Sequence, residues 1–272
     1  MSLIEQLGRR TYDRIEGFGD LCRFSGRTLS WMLSSALTRR NLKLLMYQLY
    51  SVGVLSIPVV MITGMFIGAV LAVQTVEQFK GIGMLPMMGT IVNLSVLREL
   101  GPVLAGVLLA GRVGGGMTAE LGTMRVTEQI DALWVMGSSP IQVLVVPRVM
   151  ACILLIPVLV LYANAMGILG GYIVSVKIYD VNSSDFWRYA SQAVTLWDIF
   201  YGLIKSVFFG AAISVIGCYK GFRCTSGAAG VGRACTESFV ASCVVILALD
   251  FFVGMGLNTL YNAFHPIQSV LQ

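Results

Sequence analysis

Charge is scarce in this chain. Of its 272 residues only 12% are Asp, Glu, Lys or Arg, while 56% are hydrophobic, and the mean hydropathy is +0.79. A soluble domain carries about a quarter charged residues, so this composition excludes one. Histidine is nearly missing: His265 is the single one. The six cysteines (Cys22, Cys152, Cys218, Cys224, Cys235, Cys243) form no CxxC pair. With one histidine they leave no zinc pattern. There is no HExxH and no hydrolase elbow, so nothing supports a self-contained enzyme. Alternating apolar segments are also lacking. The apolar runs are continuous, which excludes a transmembrane β-barrel. The first thirty or so residues carry charge throughout, without the compact apolar stretch of a secretory signal. What remains is an all-α polytopic membrane protein, read as a single domain over residues 1–272.

Residues 1–43 read as an interfacial amphipathic segment. Ile4, Leu7, Ile15, Phe18, Cys22, Leu29 and Met32 recur at helical spacing, and Arg9, Arg10, Arg14, Arg23 and Arg27 supply basic charge. Such a helix lies in the membrane interface and favours anionic lipid; the competing reading is a helix packed on a partner subunit. Gly17 and Gly26 are its expected breaking points. Five spans follow, at 44–76, 88–111, 149–176, 199–219 and 238–260. The first is an uncharged run of roughly 33 residues where ~20 suffice, so it is tilted, bent at Pro58, or projects beyond the bilayer. Small-residue faces recur at Gly64–Gly68–Ala72, at Ala163–Gly167–Gly171 and at Gly202–Ser206–Gly210–Ser214; they would let another helix approach closely. The 177–198 segment carries the interfacial aromatics Trp187, Tyr189 and Trp197. Gly227, Gly230 and Gly232 read as a loop. The N-terminal segment holds eight Lys and Arg residues, and the 111–148 and 220–233 loops three each. The 77–80 and 177–188 loops hold three together. The N-terminus is therefore expected in the cytoplasm and the C-terminus outside. Orientation, rather than nucleic-acid binding, explains the net charge of +5.

One stretch breaks the apolar pattern. Gly111 to Pro147 contains Arg112, Glu120, Arg125, Glu128 and Asp131. Residues 119–136 read as one helix, polar through Glu120, Arg125, Glu128 and Asp131 and apolar through Leu121, Met124, Ile130, Leu133 and Trp134. It stops at Gly137-Ser-Ser-Pro140. It is either a solvated loop helix or a docking helix for a soluble partner. Gly111 to Thr118 has the frame of a phosphate loop, but Met117 stands where the lysine belongs and no strand precedes it. Nucleotide binding is excluded. The glycines there suit close packing and a flexible exit from the second span. Four further charges, Arg98, Glu99, Lys205 and Asp250, fall inside spans, where each costs about 2.5–3.5 kcal/mol on insertion scales. They pair to lock spans together, line a polar cavity, or do both. Lys205 with Glu99 and Arg98 with Asp250, or the reverse, are the pairings that the charges allow.

The run Leu97-Arg-Glu-Leu-Gly-Pro-Val-Leu104, followed by Ala119-Glu-Leu-Gly-Thr-Met-Arg-Val-Thr-Glu-Gln-Ile-Asp-Ala-Leu133, resembles the MlaE-type permease family, the membrane subunit of the maintenance-of-lipid-asymmetry ABC transporter. The resemblance covers essentially the whole chain. It implies a homodimer of five-span subunits in the inner membrane of a Gram-negative cell, with the C-terminus in the periplasm. The implied partners are a cytoplasmic ABC ATPase, an MCE-domain ring, a small STAS-domain protein and a periplasmic lipid carrier. The cargo would be phospholipid, moved between inner and outer membranes. ATP and Mg would sit on the ATPase, leaving this chain without a cofactor. Glu120, Arg125, Glu128 and Asp131 would belong to a coupling helix on that ATPase. Arg98, Glu99, Lys205 and Asp250 would lie at the lipid cavity, with Leu71, Gln74, Val76 and Gln78 contributing from the first span. Two other readings use the same residues: a stand-alone secondary transporter or ion channel built on the buried charges, and a non-transporting scaffold.

Overall fold

The computed structural model describes residues 3–35, 39–81 and 85–264. His265 and the side chains of Ile4, Leu7, Arg9, Arg10, Arg14, Phe18, Arg39 and Arg40 lie outside the described residues. Every regular element among those described is helical: α1 (Leu3–Ser35), α2 (Arg39–Val52), α3 (Ile57–Lys80), α4 (Met88–Ser95), α5 (Gly101–Leu109), α6 (Gly115–Val126), α7 (Gln129–Val135), α8 (Val146–Lys177), α9 (Ser183–Ala193), α10 (Leu196–Phe222) and α11 (Ala228–Phe264). Five helical stretches are long and apolar enough to cross a membrane, at Lys43–Lys80, Met88–Val126, Ile141–Lys177, Leu196–Phe222 and Ala228–Ala263. The chain is an all-α polytopic membrane protein.

Helix α1 runs unbroken through Gly17 and Gly26. In the first span α-helix is interrupted just before Pro58, where α2 gives way at Gly53 to a 3-10 turn (Val54–Ser56) that leads into α3. The second span differs most from the sequence reading. It does not exit flexibly at Gly114–Gly116. Helix continues from Met88 to Val126, 39 residues or about 58 Å at 1.5 Å per residue, against a hydrocarbon core of about 30 Å. Several turns must stand outside the membrane, and the polar residues of α6 are on them. The single helix expected over 119–136 is two. They join at Glu128, whose φ of 59° is left-handed, a conformation that a residue with a Cβ adopts at a cost of about 1–2 kcal/mol. Gly230 and Gly232 are helical, in α11, and only Gly227, with φ 88°, makes the turn.

Three wide, π-helical turns interrupt the long rods, at Val96–Leu100, Ala110–Gly114 and Ile141–Val145. Two have a common cause. Pro102 and Pro147 lack the N–H that an α-helix would give to the carbonyls of Arg98 and Val143. The Gly101 N–H instead reaches Val96 O, and the Val146 N–H reaches Ile141 O, each spanning five residues. A wide turn absorbs a proline without ending the helix, and the first of them carries Arg98 and Glu99.

Helix α8 is the centre of the fold, packed between α3 and α10. Its most apolar stretch is 56% buried, against 22% for the corresponding stretches of the first and last spans, which therefore form the flanks. The glycine faces explain the tight α3–α8 contact. A methyl built on Gly64 would overlap the Ala163 carbonyl, one on Gly68 the Gly167 carbonyl, and one on Gly170 the Met65 carbonyl. A methyl built on Gly210 of α10 would stand 2.8 Å from the Cys152 carbonyl oxygen. These small-residue faces pack against one another within the chain, so they are spent on its own fold rather than left for a dimer.

Gly68→Val forces backbones apart and is expected to destabilise by about 1–3 kcal/mol. Gly116→Ala meets open space and is expected to stabilise by about 0.5–1 kcal/mol. Thermal unfolding in detergent, read by circular dichroism, separates the two.

Candidate functional site

Lys205 is built into the third turn of α10 and is 1% exposed. Its Nζ donates to Glu99 Oε2 at 2.6 Å and lies 2.8 Å from Asp250 Oδ1. One ammonium is thus shared by two carboxylates, from the wide turn after α4 and from α11. Of the pairings that the sequence allowed, both of those to Lys205 are found together and neither of those to Arg98. Arg98 turns to Asp198, with Nε 3.1 Å from Oδ1. Asp198 has a second role, because its Oδ2 accepts from the Thr195 N–H at 2.7 Å and from the Thr195 hydroxyl at 2.8 Å, closing a capping box on α10. Tyr201 stands between the two groups. Its ring lies 4.8 Å from the Arg98 guanidinium and 4.6 Å from Lys205 Nζ, and its hydroxyl donates to Gly254 O at 3.1 Å. Cations at this distance over an aromatic face are attracted to it. Gly254 leaves the room: a Cβ there would stand 3.2 Å from Lys205 Nζ and 3.0 Å from the Tyr201 hydroxyl.

The wide turn contributes a residue to each of two cavities. Glu99, Tyr201, Lys205 and Asp250 line one of about 430 Å³, with Asn258 and Asn262 beyond them on α11. The next residue, Leu100, lines another of about 440 Å³ whose walls are Phe66, Ile67, Val70, Leu71 and Leu104, with Gln74 at its side. A polar chamber and an apolar groove thus each take one of two consecutive residues of the turn, and each is within the size range of small-molecule sites. Of the first-span residues expected here, Leu71 and Gln74 line the groove. Val76 does not: it is 2% exposed and packs with Met88 and Val181. Gln78 is exposed and lines neither cavity.

The polar segment outside the membrane is tied back to the spans. Glu120 Oε1 accepts from Arg148 Nη2 at 2.7 Å. Arg148 is 4% exposed, and its Nη1 donates to Leu144 O at 2.6 Å. Arg125 pairs with Asp131 across the bend between α6 and α7, while Glu128 occupies the bend itself.

Comparison with known proteins settles what kind of chain carries this arrangement. Residues 45–255 match the family described as Permease MlaE. The chain belongs to the MlaE permease family. A probable ABC transporter permease protein of Rickettsia typhi is 40% identical over 253 residues, 93% of this chain and 96% of the relative. The intermembrane phospholipid transport system permease protein MlaE of Haemophilus influenzae is 34% identical over 254 residues, again 93% and 96%. The chloroplastic protein trigalactosyldiacylglycerol 1 of Arabidopsis thaliana is 39% identical over 204 residues, 75% of this chain and 58% of the relative. The MlaE match holds the shared lysine, both of its carboxylates and the whole of α6 and α7; α1 lies before it.

Sequence reasoning missed Asp198, Tyr201, Gly254 and Arg148. The first had a signal, the Thr195-x-x-Asp198 spacing of a capping box, and Tyr201 lies one turn from both Asp198 and Lys205. Arg148 carried none, because only the fold brings it to Glu120. Among the described residues no group of His, Cys, Asp and Glu is placed to hold a metal ion.

Lys205→Met leaves two carboxylates without their cation and is expected to cost about 3–5 kcal/mol. Glu99→Gln keeps the Asp250 pair and removes a group that is 50% exposed, so it is expected to cost about 1 kcal/mol or less. Denaturant unfolding in mixed micelles of the two variants gives the comparison.

Proposed function

We propose that this chain is the membrane subunit of an ATP-driven transporter that moves phospholipid between inner and outer membranes and so maintains outer-membrane lipid asymmetry. The observation that carries the reading is that one wide turn supplies Glu99 to a polar chamber and Leu100 to an apolar groove, a combination that suits a molecule with a charged head and apolar tails. Membership of a permease family and the name of the Haemophilus relative support the cargo. The lack of a nucleotide motif supports hydrolysis of ATP, with Mg, on a separate ABC ATPase. The α6–α7 segment, with Glu120, Arg125, Glu128 and Asp131, is the proposed seat for that ATPase, and the Glu120–Arg148 pair is the proposed route by which its movement reaches α8.

The resemblance extends the proposal to a homodimer working with an MCE-domain ring, a STAS-domain protein and a periplasmic lipid carrier. The distribution of Lys and Arg supports a cytoplasmic N-terminus and a periplasmic C-terminus in a Gram-negative inner membrane. The sparsely buried flanks α3 and α11 are where a second copy or lipid would cover apolar surface.

Reconstitution of the complex in proteoliposomes tests the reading through transfer of a dye-labelled phospholipid. Transfer is expected to require ATP. It is expected to fall at least tenfold in Lys205→Met with the ATPase still bound. Asp131→Lys is expected to lower ATPase co-purification, by opposing charge at the proposed seat. Ion flux driven by a gradient without ATP would overturn the proposal in favour of a secondary transporter or channel. Full transfer after neutralising Arg98, Glu99, Lys205 and Asp250 together would favour a scaffold.

A further inference from the structure

A second cationic site lies far from the Lys205 cluster, where α1 crosses the end of α10. A cavity of about 280 Å³ there is lined by Arg23, Arg27 and Arg223, with Asp20 the only carboxylate. Arg223 is already held, by an ion pair to Asp20 and by the face of Tyr219 at 5.2 Å. Arg23 and Arg27 are exposed and have no ion pair among the described residues. The adjoining cavity shares Arg223 and Tyr219 and adds Lys220 and Arg233, both paired to Glu237. Five cations therefore face two carboxylates. The wall between α1 and α10 is aromatic. Phe24 meets Tyr219 and Phe222 edge-on at 5.7 Å each, and the Tyr219 hydroxyl donates to Gly17 O at 3.0 Å. The site is thus a fixed feature of the fold, on the same side of the membrane as α6, since Cys224 lies beside Gly122.

We propose that this junction binds the phosphate-bearing headgroup of an anionic phospholipid of the adjoining leaflet. Guanidinium groups hold phosphate oxygens by charge-assisted, often bidentate, hydrogen bonds, and two of the three here are uncommitted. A lipid fits better than a free anion or an acidic protein segment because of what surrounds the charge. The other side of α1 carries Tyr12, Ile15, Cys22, Leu29 and Leu33 at helical spacing, all exposed. That face covers no part of the chain, and an apolar helix face beside a row of arginines is the arrangement that settles at headgroup depth. The acyl chains would lie along it while the headgroup enters between Arg23, Arg27 and Arg223. The site does not depend on the cargo proposed above, as it shares no residue with that cavity.

The test is native mass spectrometry of the full chain in detergent, titrated with dioleoyl phosphatidylglycerol, with dioleoyl phosphatidylcholine and inorganic phosphate as competitors. The variants are Arg23→Gln with Arg27→Gln, and Lys43→Gln, which removes one exposed charge outside the pocket. Phosphatidylglycerol is expected to bind the double variant about thirtyfold more weakly, and Lys43→Gln within about twofold of the native chain. Unchanged binding in the double variant would overturn the site. An equal per-charge loss in Lys43→Gln would reduce it to diffuse attraction. Displacement by inorganic phosphate would reassign it to a soluble anion, and equal binding of phosphatidylcholine would remove the anionic preference. Loss of ATPase co-purification in the double variant, with lipid binding intact, would assign the arginines to a protein partner.

Discussion

A lysine that is 1% exposed inside a set of membrane-spanning helices has to be neutralised where it sits. Almost none of its surface is left for water to solvate, and a lone ammonium so buried is several kcal/mol too unstable to survive. Lys205 meets this demand with two carboxylates from two other spans, and the demand fixes much else. The wide turn at Val96–Leu100 brings Glu99 within reach. Gly254 leaves space for the ammonium and for Tyr201. Asp198, placed by the capping box that starts α10, draws Arg98 away to its own partner, so the second cation does not compete for the same carboxylates. The result is an arrangement of two cations and three carboxylates, one negative charge in excess, with Glu99 half exposed and open to the chamber. The spare negative charge is on the side that a ligand would meet.

The proline responsible for that turn also illustrates what a sequence conceals. Arg98 and Glu99 were legible as charges within a span, and Pro102 as a residue that disturbs a helix. Their combination into a five-residue turn was not, since a proline can kink, end or widen a helix depending on what packs around it. The same limit applies at Pro147. Five spans, the polar α6–α7 stretch and the glycine faces could be read directly, because hydropathy and the spacing of small residues are local properties. Which face meets which is not local. Gly64 and Gly68 look identical whether they face α8 or a second chain, and here α8 takes them. Glu128 shows the converse: nothing in its side chain announces a left-handed bend, and the periodicity of residues 119–136 runs through the joint as though it were absent.

Arg148 and Asp198 were unreadable for the same reason, although each is chemically conspicuous. A charged residue near a predicted span end is ordinarily solvated, so its position argues for topology rather than contact. In the fold, both are buried and each bonds two separate elements: Arg148 joins α6 to the start of α8, and Asp198 joins the start of α10 to the wide turn. Long-range ion pairs of this kind have no sequence period from which to infer them.

The two long rods give the molecule a mechanical character that follows from these ties. Met88–Val126 is one helical path from the charged cluster to the polar segment outside the membrane, and the Glu120–Arg148 pair links its outer end to α8, the most buried span. A displacement of α6 therefore cannot stay local. It must either be absorbed at one of the wide turns, where the hydrogen-bond pattern already departs from the α-helix, or be passed to the wall of the chamber and to the centre of the fold. The wide turns lie at both ends of α5, between the outer segment and Glu99. They are the places where a rigid push would become a change in cavity shape, while the close backbone contact of α3 on α8 at Gly64, Gly68 and Gly170 leaves little to repack and resists change.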